Sequence, residues 1–318
     1  MPDEPSRVSG ARAAWRLAVG TFTVFPVRPV DVDRAVAGRA MSLAPFVGVL
    51  LGLAAAVVLE AAGAVSGSPL LGAVLAVGAL AWLTRALHLD GLADLADGLG
   101  SGKPADGALD VMKRSDIGPF GVVTLVIVLL VQVAVLSRDD TAAWVALVAA
   151  VATGRLAVTW ACREGVPAAR PTGLGALVAG TVRRGAAITV TLATAAVVVV
   201  LALVAAAGPS LLDYCWPFDL RSTFGYTSYS GVAPYSELTY GYSVDAGPRP
   251  AGLLHHLSDD PYLITAAGLL LAMAAGLGAA ALLRRRAVRR LGGVTGDVLG
   301  ALVETATTVT LLAAVVLV

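Results

Sequence analysis

The stretch His88-Leu89-Asp90-Gly91-Leu92-Ala93-Asp94-Leu95-Ala96-Asp97-Gly98 sets three carboxylates at i, i+4 and i+7, so a helix would project all three from one face. Like charges at that spacing repel, and a sequence keeps them together at low cost only where a cation sits between them. Hard oxygen donors, with no cysteine and a single histidine nearby, suit Mg²⁺ or Mn²⁺ rather than zinc. A capping or solvated acidic turn would account for one or two of these residues, not for three on one face. Asp90, Asp94 and Asp97 are therefore expected to form a divalent-metal site.

Anion-binding chemistry recurs elsewhere. Met112-Lys113-Arg114-Ser115-Asp116-Ile117-Gly118-Pro119 places a basic pair and a hydroxyl ahead of an apolar segment. The amino end of a helix there would attract phosphate, and Lys113 and Arg114 would add charge-assisted contacts. The Gly- and Pro-rich run 163–175 contains Arg170 and reads as a phosphate-binding or lid loop, or as a simple linker. Near the carboxyl end, Gly292-Gly293-Val294-Thr295-Gly296-Asp297 would let backbone amides approach an anion closely, although the Walker lysine is absent. Asp297 and Glu304 share a helix face and could complete the carboxylate set. Arg155 lies inside an apolar segment, where it must face other helices or snorkel to the interface.

These residues must be positioned by membrane helices. The chain of 318 residues is 57% hydrophobic with a mean hydropathy of +0.81, values that exclude an ordinary soluble protein. Windows long and apolar enough to cross a bilayer run over residues 43–65, 70–89, 117–136, 142–162, 186–207, 263–283 and 298–318. The expected fold is an all-α polytopic bundle of about seven transmembrane helices, forming a single integral-membrane catalytic domain over 1–318. The segment 15–25 reads as a short interfacial or re-entrant piece, and no cleavable signal peptide is expected. Arginines and lysines gather before the first window and after the second, fourth and sixth. The amino terminus and the candidate site are thus expected on the cytoplasmic side of the membrane. The net charge of +1 asks for no nucleic acid.

The stretch 209–261 changes character, holding most of the tyrosines and several carboxylates, and reads as a long external loop of unknown role. Its adjacent His255 and His256, next to Asp259, could bind a metal adventitiously but read as ordinary polar loop residues. Cys162 and Cys215 fall on opposite sides of this topology, so no disulfide between them is expected.

Taken together, HLDGLADLADG, MKRSDIGPFG, ARPTGLG and GGVTGDVLGA, in this order on a polytopic chain, closely resemble the cobalamin synthase family, adenosylcobinamide-GDP ribazoletransferase. The resemblance covers roughly 14–208 and 263–310. It implies an Mg²⁺-dependent inner-membrane transferase that joins α-ribazole, or its 5′-phosphate, to adenosylcobinamide-GDP with release of GMP. On that reading Asp90, Asp94 and Asp97 hold the metal, with Asp297 as an extra ligand. Lys113, Arg114, Ser115, Arg155 and Arg170 serve the substrate, and Gly292, Gly293, Thr295 and Gly296 cradle a phosphate. His88 or a spare aspartate takes the hydroxyl proton. Two positions depart from the family: Thr23-Val24-Phe25-Pro26 stands where members commonly carry Thr-Arg-x-Pro, and Thr307 where many carry a second glutamate. A homo-oligomer is compatible with all of this.

Two rivals remain distinguishable. A phosphotransferase of the CDP-alcohol type also binds metal and nucleotide diphosphate through aspartates at a helix end, but its DGxxAR…GxxxDxxxD spacing is not met here. A transporter would need an internal repeat and carboxylates near the midplane, whereas these gather at one end.

Overall fold

The computed structural model describes residues 7–138, 142–206 and 261–318. Nearly all of the expected loop 209–261, with Cys215, His255 and His256, lies outside them. Among the described residues the structure is all-α, as composition and periodicity predict, with only isolated β-bridges between loops. In chain order the helices are α1 (Arg7–Phe22), α2 (Arg34–Ser66), α3 (Pro69–Leu83), α4 (Leu87–Gly100), α5 (Ala105–Val111) and α6 (Pro119–Leu136). There follow α7 (Ala143–Ala161), α8 (Leu174–Val178), α9 (Arg184–Ala206), α10 (Pro261–Leu291) and α11 (Gly296–Leu317). Six of them, α2, α6, α7, α9, α10 and α11, are long and apolar enough to cross a membrane, and α3 with α4 passes the same test as a bent pair. This is a multi-pass membrane protein.

The bundle is built around α7, whose apolar window is 83% buried, against 17% for the lipid-facing α6. Small residues allow that enclosure. A side chain at Gly48 or Gly52 of α2 would begin within 2.9 Å of the α7 backbone at Ala152 and Val148, so the two helices meet backbone to backbone. Asp33 and Thr295 cap α2 and α11 by accepting from the amides of Val36 and Val298.

One expectation is corrected. The window 70–89 does not run on as one straight helix: it breaks at Thr84-Arg85-Ala86, and α4 turns 88° away from α3. Arg85 and Ala86 take the left-handed conformation, with φ of 55° and 53°, which no helix interior tolerates. The segment 15–25 forms the end of α1 and the turn after it, packed into the bundle through Ala18 and Phe22; α1 is not among the helices long and apolar enough to cross a membrane.

Candidate active site

The carboxylate face predicted for 88–98 exists, because α4 covers the whole stretch. What the sequence does not reveal is the partner of α4, which is the start of α11. A Cβ at Gly91 would stand 2.7 Å from the carbonyl oxygen of Asp297, and one at Gly300 would stand 3.2 Å from the backbone of His88. The glycines thus let the helices touch, and the Asp90 and Asp94 side of α4 comes beside Asp297.

Asp90, Asp297 and Arg170 line one cavity of about 300 Å³, together with Thr172, Thr295 and Gly296. Asp90 is exposed and Asp94 half-buried. The charges of Asp90, Asp297, Asp97 and Arg170 all act on Asp94. The two basic and hydroxyl contributions have defined anchors. Arg170 donates through Nη2 to the carbonyl of Leu109, while its Nε is buried and has no partner among the described residues. The hydroxyl of Thr295 donates to the Asp297 carboxylate at 3.2 Å.

The loops that close the cavity are zipped together. Val294 donates to the carbonyl of Pro167 at 2.9 Å, and Ala169 donates to that of Val294 at 3.1 Å. Gly293 is required by this approach, since a Cβ there would lie 2.3 Å from the carbonyl carbon of Ala168. Gly292, at φ 82°, ends α10. Gly293 therefore lets the two loops meet, while Val294, Thr295, Gly296 and Asp297 are the members of that motif that line the cavity. Arg34 was visible in the sequence only as a topology signal. It holds α8 in place by donating to the carbonyls of Ala176, Leu177 and Ala179, a long-range contact that no local pattern announces.

Asp97 has another occupation. Its two oxygens accept from the amides of Gly118 and Gly121 at 2.7 and 3.0 Å, capping α6. The anion at that helix end is thus the protein's own carboxylate rather than a bound phosphate. Lys113 and Arg114 stand exposed in the preceding loop, 3.9 Å from Asp110 and 3.3 Å from Asp116. With Ser115 they lie outside the cavity lining, on the loop that follows α5, to which Arg170 is tied.

His88 and Arg155 sit inside the bundle, each 3% exposed, not at the rim. Their side chains approach at 3.5 Å, and His88 stacks on Phe22 with ring centroids 5.9 Å apart. Charge from Glu304 reaches Arg155. Glu304 in turn accepts from Gln132 at 3.1 Å, and Gln132 also donates to Thr308 at 2.9 Å. This network ties α4, α6, α7 and α11 together.

Among the described residues no three carboxylates or imidazoles converge as a closed metal cage. The donor chemistry nevertheless fits a hard cation held by one or two carboxylates and completed by water and substrate oxygens, which is the habit of Mg²⁺. Asp90, Asp94 and Asp297 are hard oxygen donors crowded beside a cavity that also offers an unsatisfied guanidinium.

Comparison with known proteins places this geometry in context. The family description "Cobalamin-5-phosphate synthase" matches residues 14–228 and 250–315. The match enters both ends of 209–261, a stretch for which the motifs alone suggested no counterpart. A protein of Frankia casuarinae named adenosylcobinamide-GDP ribazoletransferase is 41% identical over 93% of this chain and 92% of its own length. One of the same name from a Nocardioides species is 38% identical over 95% and 98%, and one from Bradyrhizobium diazoefficiens is 32% identical over 95% and 93%. No solved structure matches.

Proposed function

The chain belongs to the cobalamin-5-phosphate synthase family, and on that premise we propose that it joins α-ribazole, or its 5′-phosphate, to adenosylcobinamide-GDP. GMP is released, and the product is adenosylcobalamin or its 5′-phosphate. A ribazole hydroxyl gives up its proton to a spare aspartate of the carboxylate set and attacks the phosphorus that stays with the cobinamide. The bond from that phosphorus to the bridging oxygen breaks, and the oxygen leaves with GMP. The observation that carries this reading is the convergence of Asp90, Asp297 and Arg170 on one cavity.

Each residue has a task in that reaction. Arg170, with an unpaired Nε and a second nitrogen tied to Leu109, offers the pyrophosphate a fixed guanidinium. Thr295 and Gly296 present the amino end of α11, where free amides and the helix dipole favour a phosphoryl oxygen. Lys113, Arg114 and Ser115 meet parts of this bulky substrate that extend beyond the cavity. Asp90, Asp94 and Asp297 would hold Mg²⁺, with Asp97 fixing the distance between α4 and α6. Such an ion neutralises charge on the anhydride and stabilises the leaving phosphate. His88 and Arg155 are buried away from the cavity and act by positioning α4 against α7. The active site faces the cytoplasm, where the basic loops lie.

Purified protein given adenosylcobinamide-GDP, α-ribazole and Mg²⁺ should release GMP. A CDP-alcohol phosphotransferase, which the relatives' names do not favour, would instead release CMP from its own donor. Absence of GMP with a folded sample would overturn the assignment.

A further inference from the structure

Away from the candidate site, a crevice of about 290 Å³ opens between α7, α9, α10 and α11, lined by Ala157, Trp160, Thr191, Leu277, Gly278 and Arg284 among others. Its walls are mostly alanine, glycine and leucine, so little but hydrocarbon would gain from entering it. One end is cationic. Arg284 donates to the backbone oxygen of Trp160 at 2.8 Å, and the charges acting on it are those of Arg163 and Arg285. Neither Arg284 nor Arg163 has a carboxylate partner among the described residues. The Nε of Arg163 is also buried with no acceptor. Guanidiniums brought together without a counter-ion, one of them partly desolvated, are costly unless an anion joins them. Trp160 stands at the junction, its indole N–H donating to Thr191 at 3.0 Å, an amphipathic ring placed where an apolar region meets a polar one.

We propose that this crevice binds one anionic phospholipid, with an acyl chain between α7, α9 and α10 and the headgroup phosphate against Arg284 and Arg163. The basic loops put this end at the leaflet where anionic lipids supply the negative surface potential. The site is linked to the cavity by one piece of chain. Arg163 is anchored by a backbone bridge to Val182, and the loop it begins carries Arg170, Thr172 and Gly173 into the cavity. A bound lipid therefore steadies the root of that loop. The assignment rests on the crevice and its charges alone, and stands or falls separately from the transferase reading.

The test uses the full chain purified in neutral detergent and offered phosphatidylglycerol or phosphatidylcholine, with retained lipid counted by native mass spectrometry and no substrate present. The wild-type chain should retain one phosphatidylglycerol in preference to phosphatidylcholine. Removing both charges, Arg163→Gln with Arg284→Gln, should cut retention about tenfold or more. Gly278→Leu should do the same with both arginines intact; a Cβ there would meet nothing within 4 Å, so a larger side chain on this lining position has room to start into the crevice. Arg284→Lys should keep most of the binding, and inorganic phosphate should not displace the lipid. Equal retention of the two lipids, or unchanged phosphatidylglycerol retention in Gly278→Leu, would overturn the proposal. So would displacement by inorganic phosphate, which would mark a site for a soluble anion.

Discussion

The protein has two polar regions, and they differ in what surrounds them. At the rim, Asp90, Asp297 and Arg170 line an open cavity, with Asp94 within reach of their charges. In the interior, Arg155, His88, Glu304, Gln132 and Thr308 engage one another, although the Nε of Arg155 and the Nε2 of His88, like the Nε of Arg170, have no partner among the described residues. A charge lining an open cavity can be served by water or a ligand; one enclosed among helices depends on protein partners. The rim is therefore free to meet a ligand, whereas the interior is committed to holding four helices in register. The difference teaches which charged groups belong to the chemistry and which belong to the geometry behind it.

Substitutions should separate the two regions. The largest effect is expected at the rim. Asp90→Asn should lower GMP release by about 10³-fold or more, on the order of 4 kcal/mol of transition-state stabilisation, while the thermal midpoint barely moves. In the interior, Arg155→Leu should do the reverse at first order: it removes the buried guanidinium whose charge acts on Glu304 and should cost about 2 kcal/mol of stability, read as a lower denaturation midpoint. Pairing it with Glu304→Gln should restore part of that loss, since the two changes share one interaction. Should Arg155→Leu abolish turnover in a fully stable protein, the division between regions would fail.

Asp97 lies at the boundary and sharpens the comparison. Asp97→Ala removes the cap from α6 and should destabilise by about 2 kcal/mol, with a Mg²⁺ requirement altered less than in Asp94→Asn. The smallest effect belongs to the outer loop. Lys113→Ala with Arg114→Ala should raise KM up to about tenfold and leave kcat near its starting value, as expected for contacts equally strong before and during reaction.

How far the sequence foretells this arrangement depends on whether a signal is local. The helix through Asp90, Asp94 and Asp97 was legible from spacing alone, as was the all-α membrane bundle from its apolar windows. The bend before α4 was not, because Thr84-Arg85-Ala86 contains neither glycine nor proline and the left-handed pair is imposed by tertiary contacts, among them the bond from Arg85 to the carbonyl of Gly20. Burial of His88 depends on Phe22, far away in sequence, and could not be read from its neighbours. The glycine-rich motif at 292–296 suggested a phosphate cradle. Half of it proved to be a close approach between loops, a use of glycine that only the partner segment 167–169 reveals.

The most direct test of the rim's role is a Mg²⁺ titration of GMP release from adenosylcobinamide-GDP and α-ribazole, run in parallel on the wild-type chain and Asp94→Asn. The account predicts saturable dependence on Mg²⁺ in the first, abolished by chelator, and near-background release in the second at every concentration. GMP formed at equal rates with chelator present, or by both chains alike, would contradict it.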